Sequence, residues 1–271
     1  MTPLSPTFRA LNREATLTKQ MLGAGATHIY RANYALHGVY FQAFTGLSVG
    51  LERLGKLCVI LDHAINHSGS FPVDKEMKDL SHDLMKLYAR SQVIKTARGL
   101  RFRSLQDLSD PDHLSILDVL SSFARGDRYA NIDLLSGRTT SKDPIAAWAS
   151  KVDAKLYQDR VSPKRKSMIE EKAGKSAFMD ELASVLHTAE DGTPVTSYED
   201  GVRRTLKHEA IAPYRQLLVL QIIRYWIDLL DGLEVLAREV MPNDIPCFSD
   251  ILGPLANDDA YIRSRKTWDK V

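Results

Sequence analysis

The chain has 271 residues, 44% of them apolar and 26% charged, with a formal net charge of +2. That length can bury a real core in one or two domains, and the near-neutral balance gives no global field that demands nucleic acid or a membrane. The two cysteines, Cys58 and Cys247, lie far apart without motif spacing, so neither a disulfide framework nor a cysteine metal site is expected.

In chain order, residues 1–20 are rich in proline, threonine and charge and read as a loosely held arm, bounded at residue 27, with a helical turn around Phe8–Leu17. Ile29–Phe44 is aromatic-rich, and Tyr30, Tyr34, His37 or Val39, and Phe41 recur at helical spacing, so a helix leading into the next segment is expected. Ala43–Arg90 is the organising stretch. Leu47, Leu51, Leu54, Cys58, Leu61 and Ile65 step by threes and fours, which makes one apolar helical face. Gly46 and Gly50 share a face and invite close packing of a neighbour. Ser68-Gly69-Ser70-Phe71-Pro72 carries a stop signal, with Gly69 where a left-handed cap belongs. Met77, Leu80, Leu84, Leu87 and Tyr88 then predict a second helix that returns against the first.

Further on, Ser109-Asp110-Pro111 starts a helix that Gly126 ends, Arg128–Asp133 reads as a loop or short strand, and Asp143-Pro144 opens another helix. The charged run 160–176 suits a linker or exposed helix. Phe178–His187 reads as a short amphipathic helix closing at Asp191-Gly192-Thr193-Pro194. Thr196 or Ser197 caps the next helix, Pro213 breaks or restarts it, and Met241-Pro242 ends it. Ile211–Val240 is apolar around most of its circumference, so it belongs in a core or at a subunit interface. Its charges Arg215, Arg224, Asp228 and Asp231 argue against a membrane span. The expected fold is all-α: a helical bundle (residues 28–160) with a long central helical hairpin, preceded by the 1–27 arm and followed by a C-terminal helical extension (161–271) packed on the bundle. With no apolar leader segment, a soluble cytoplasmic setting is expected.

Three constellations bear on chemistry. Leu84–Gln106 carries Lys86, Arg90, Lys95, Arg98, Arg101 and Arg103 without one Asp or Glu, a pattern that suits phosphate contacts with RNA or DNA. The bland reading is a solvated face balanced by acids of Trp226–Ile251, which holds six against the single Arg238. His63 and His67, four apart on a helix, together with His82, Asp83 and Asp62 evoke a metal site of the HD phosphohydrolase kind. Helix capping by Asp83 and dipole contacts of the histidines explain the same letters without a metal. Arg204 and His208, at i and i+4, share a helical face within Arg203-Arg204-Thr205-Leu206-Lys207-His208. No P-loop, G-x-S-x-G, H-E-x-x-H or G-x-G-x-x-G is present, and no cofactor is expected.

The helix GLSVGLERLGKLCVIL (Gly46–Leu61), the turn with Pro72, and the helix opening Leu80-Ser81-His82-Asp83-Leu84 together resemble the HEPN family of small helical bundles found in prokaryotic defence and toxin–antitoxin systems. The resemblance covers residues 28–160. It implies a dimer and a metal-independent endoribonuclease. In the family an Arg-x4–6-His motif supplies a base for the ribose 2′-hydroxyl and a cation for the scissile phosphate. At the corresponding place this chain has Arg128 followed by Asp133 where the family has His, and an aspartate near pKa about 3.9 is a poor base unless buried. The expected function is therefore an RNA-directed HEPN-like protein that binds or cleaves RNA, with Arg128, Arg204 and His208 as candidate catalytic residues. The alternative is a non-catalytic scaffold that holds a protein partner or a second copy of itself. A metal phosphohydrolase is the third reading.

Overall fold

The computed structural model describes residues 4–138, 141–182 and 185–270. Within them the chain is all-α, apart from one two-residue β-hairpin. The elements are α1 (Pro6–Arg31), α2 (His37–Asn66), α3 (Asp74–Asp79), α4 (Leu84–Ala97), α5 (Pro111–Arg125), α6 (Ala130–Leu135), α7 (Pro144–Trp148), α8 (Ala154–Arg160), α9 (Pro163–Lys175), β1 (His187–Thr188), β2 (Pro194–Val195), α10 (Tyr198–Val240), α11 (Phe248–Leu252) and α12 (Asp259–Ser264).

The expected arm is instead a 26-residue helix, α1, capped by Ser5, whose side chain accepts a hydrogen bond from the Phe8 amide at 3.0 Å. Leu11, Ala15, Leu22, Ala26 and Ile29 lie in the core. Glycines let α1 and α2 approach closely: a Cβ on Gly46 would stand 2.8 Å from the Met21 carbonyl oxygen, and one on Gly50 would strike the Leu22 side chain. Gly25 lies against Leu47 and Gly46, Leu22 against Gly50, and Glu14 pairs with Arg53 at 2.6 Å. Position numbers fall on one helix as they rise on the other, so the two are antiparallel. The central hairpin therefore exists, but its arms are α1 and α2.

The face of α2 expected to be apolar is buried from Leu47 to Leu61. Gly69 ends it at φ +89°, its amide donating to the Ala64 carbonyl at 2.8 Å. The second arm differs from expectation. Met77 lies in the short α3, and a turn with Ser81 at φ +52° separates it from α4. His82 pairs with Glu52, Leu87 lies by Gly55, and Arg98 pairs with Asp62 and Asn66. Numbers rise on both elements together, so α4 runs in the same sense as α2 rather than returning against it. Residues 68–83 make the return.

Asp110 and Asp143 cap α5 and α7 as their Asp-Pro signals require, and Gly126 ends α5. Arg128–Asp133 is neither loop nor strand but a 3₁₀ turn (Asp127–Tyr129) running into α6. The charged run after residue 160 is helix α9. The amphipathic helix expected over Phe178–His187 is a 3₁₀ turn (Ala177–Glu181) followed by the hairpin β1–β2, with Asp191-Gly192 in its turn and Gly192 at φ +83°; Ala183 and Ser184 lie outside the described residues. Between α7 and α8, Ala149–Asp153 form a π-helical turn, a local widening that re-aims the side chains on it.

Helix α10 spans 43 residues and passes through Pro213 without a break, correcting the expectation there. Proline removes the N–H that would bond the Glu209 carbonyl, but α10 is gripped on both sides of it. Gln216 donates to the Ala26 carbonyl at 2.9 Å, the Gly55 position meets the Trp226 ring, and Ile211 and Val219 are buried. One apolar cluster joins α1, α2, α4, α5, the α7–α8 helix, α10 and the C-terminal residues to Trp268. No helix among the described residues is long and apolar enough to cross a membrane.

Candidate functional site

The most unusual chemistry lies where α10 crosses the end of α1, the start of α2 and the π-helical turn. Arg215 sits on the face of α10 turned to these elements, and its side chain is fully buried. A charge without water costs several kcal/mol unless it is paired and all its hydrogens are used. Here they are used. Nε donates to Asp153 Oδ1 at 2.6 Å, and Nη2 donates to Asp153 Oδ2, so the pair is bidentate. Nη1 donates to the Ala32 carbonyl at 2.8 Å, which stops α1 where the aromatic run had predicted continuous helix. Nη2 also donates to the Tyr40 hydroxyl and to His208 Nδ1, each at 2.9 Å.

The π-helical turn delivers Asp153 to this point, and the buried Trp148 indole donates to its Oδ1 at 2.9 Å. Burial pushes the Asp153 carboxyl up, with Arg215 opposing it by charge and hydrogen bond. Burial pushes Tyr40 well above the ordinary phenol range too, so it stays a neutral donor. Its hydroxyl lies 3.3 Å from Glu190 Oε1 and 3.5 Å from Asp153 Oδ2.

Glu190 comes from the turn of the β-hairpin. Ala189 and Val195 pack with Tyr34 in a small apolar cluster of their own, which fixes the hairpin over the network. The Tyr34 ring also stacks on His208 at 6.3 Å between centroids. A guanidinium can only donate, so His208 Nδ1 accepts from Arg215 and the ring proton sits on Nε2. That N–H donates to Glu190 Oε1 at 2.6 Å. Burial works to raise the Glu190 carboxyl, but the hydrogen bond from His208, with the nearby Arg215 guanidinium, outweighs it and holds the group below its ordinary value. Both imidazole nitrogens are thus engaged, which makes His208 an anchored ring rather than a free base.

Asp153, Glu190, His208, Arg204, Lys207 and Tyr157 line one cavity of about 470 Å³. Arg204 and His208 share that cavity, as i and i+4 on one helix should. The Arg204 Nε donates to Asp200 at 2.9 Å. Lys207 lies over the Tyr157 ring at 5.2 Å, and Lys166 sits 5.3 Å from the same ring. Arg128 is elsewhere: it is exposed on the 3₁₀ turn before α6, stacked on Tyr129 at 5.0 Å, and lines neither this cavity nor its neighbour.

The basic stretch is partly spent on structure. Arg98 and Arg90 pair with Asp62 at 2.8 and 3.7 Å. Lys95 donates to the Gln106 side chain at 3.1 Å and lies 4.4 Å from the Phe102 ring centre. Arg103 stands near Asp228 and Asp231, which are among the acids expected to balance it. Lys86 and Arg101 are exposed and make no ion pair with the described residues.

The histidines of the metal reading have other partners. His63 and His67 stack at 3.9 Å, His63 faces Glu76 at 3.6 Å, and His82 meets Glu52 at 2.8 Å. Asp83 caps α4, accepting from the Met85 and Lys86 amides at 3.0 and 3.1 Å. Burial works to raise its carboxyl, but those amides, Arg125 and Ser121 hold it low. Among the described residues no group of three or more His, Cys, Asp or Glu gathers as metal ligands.

Sequence reasoning missed Arg215, Asp153, Tyr40 and Glu190. One signal was present: an arginine inside an apolar helix must find a buried carboxylate. No protein-family model, curated protein or solved structure matches the chain.

Proposed function

We propose that the protein is an RNA-directed helical protein whose phosphate-binding surface is the His208 cavity. The observation that carries this reading is the convergence of Arg204, Lys207 and the anchored His208 on one cavity backed by a rigid buried ion-pair network. Two cations at a cavity rim suit phosphodiester oxygens, and Tyr157 offers an aromatic face between two lysines. The engaged imidazole favours binding over cleavage, because His208 must leave Arg215 before Nδ1 can take a proton from a 2′-hydroxyl. The resemblance to HEPN proteins supports the same substrate class, with the site on α10 rather than at Arg128.

A gel shift with single-stranded RNA in low salt tests this. Wild-type protein is expected to bind at micromolar concentration or tighter, and R204A/K207A to lose about tenfold or more. Equal binding by the double variant removes the assignment. In a parallel cleavage assay, products ending in 2′,3′-cyclic phosphate and insensitive to EDTA would mark the metal-independent nuclease of the family instead.

A scaffold function is the second reading, favoured by an apolar groove of about 410 Å³ lined by Ala10, Leu11, Ile60, Phe71, Pro72 and Met77. Absence of RNA binding together with a self-association constant that changes on Phe71→Ser would favour it.

A further inference from the structure

His208 has a second side. Away from the Arg204 cavity it forms one wall of another, of about 570 Å³, lined also by Tyr30, Arg31, Arg165, Glu209 and Lys266. The cations arrive from three separate places: the last turn of α1, the first turn of α9, and the C-terminal segment that Gln216 ties to α10 through the Lys266 carbonyl at 3.2 Å. None of the three pairs with a carboxylate of the described residues within 4.0 Å. A single carboxylate, Glu209, lines the same cavity. Three like charges held around one concavity repel each other, and an anion between them relieves that repulsion.

The remaining walls narrow the choice of anion. Tyr30 is half-buried beside Lys266, whose ammonium lies 6.0 Å from its ring centre, so an aromatic surface adjoins the cations. Glu209 is an acceptor for hydroxyl or amine protons. The volume falls within the range of small-molecule sites and far exceeds what a lone phosphate fills. We propose that this cavity is a nucleoside monophosphate site: Arg31, Arg165 and Lys266 take the phosphate, Tyr30 stacks the base, and Glu209 accepts from the ribose hydroxyls. The site shares the His208 wall with the RNA-binding cavity but does not depend on it.

Isothermal titration of the full chain in low salt, with AMP, inorganic phosphate and adenosine as separate probes, tests the assignment. AMP is expected to bind about tenfold or more tightly than phosphate or adenosine, because it alone engages both halves of the site. R165A/K266A is expected to lose about tenfold or more of the AMP affinity with an unchanged melting temperature, while R204A/K207A retains it. Glu209→Gln is expected to narrow the preference for AMP over dAMP. The proposal is overturned if AMP binds no better than phosphate, if R165A/K266A binds AMP as wild type does, or if only RNA binds. Because R204A/K207A reports on the neighbouring cavity, failure of RNA binding and failure of nucleotide binding are read separately.

Discussion

Asp231 keeps one carboxylate oxygen buried without a hydrogen-bond partner, on a half-buried stretch of α10. Burial, then the negative charges of Glu234 and Asp228, push its pKa up to about 6. Between the ordinary value of 3.8 and about 6 the folded state holds more proton than the unfolded chain, so this group's contribution falls as pH rises through that window. Asp231→Asn is expected to abolish that fall and to stabilise the protein at pH 7 by about 1 kcal/mol, a figure discounted for solvent screening. Urea titrations at pH 4 and pH 7 check it; equal stability of variant and wild type at both would refute the assignment. Glu190 has the opposite sign. Its carboxyl is held low, so its stabilisation is present above the ordinary 4.5 and is lost as pH falls through its lower folded value. The melting temperature of Glu190→Gln should therefore depend less on pH in that acid range. For Arg215→Leu the expectation is a loss of about 3–5 kcal/mol, since Asp153 would stay buried without its cation. Much of that loss should return in R215L/D153L, which a chemical denaturation series would show.

At the scale of elements, the α1–α2 contact depends on glycines. Gly46→Ala must push the helices apart or bend the Met21 carbonyl aside, at a cost of about 1–3 kcal/mol. Gly38→Ala, also in α2 but with open space around the added methyl, should be neutral or slightly stabilising, and thermal melts of the two variants decide the matter. The same contact explains what could be read from the sequence. The apolar stripe of α2 and the apolar girth of α10 follow from periodicity, because large side chains announce a buried face. Helix α1 buries only Leu11, Leu22 and Ile29 among large side chains; between them lie Ala15, Thr18, Gly23, Gly25, Ala26 and Thr27, small residues whose role is close approach, so it reads as a polar arm. The break at Ala32–Leu36 and the continuity through Pro213 are set by partners far along the chain, where local rules have no purchase. Of the candidate site, Arg204 and His208 were legible as an i, i+4 pair; Glu190 was not, since only the hairpin brings it to His208.

For the whole molecule, a net charge of +2 hides an uneven use of cations. Arg98 is structural: it closes on Asp62, so Arg98→Ala should lower the melting temperature. Lys86→Ala with Arg101→Ala should leave stability unchanged. If RNA also tracks this segment, that pair should flatten the dependence of log affinity on log salt by about 1–2 units. An unaltered slope would confine RNA to the cavity of Arg204 and Lys207. The buried arginine carries one further consequence, which concerns time rather than strength. Arg215 bonds residues 183, 175 and 62 positions away, at Ala32, Tyr40 and Asp153. Its carboxylate and hydroxyl partners come together only after α1, α2 and α10 have met and the π-helical turn has closed on them. Contacts of such separation are slow to assemble, and we expect this network to close on the native side of the rate-limiting barrier. The network then acts as a latch: Arg215→Leu should accelerate unfolding several-fold while leaving the refolding rate nearly untouched, a division that stopped-flow chevron plots resolve.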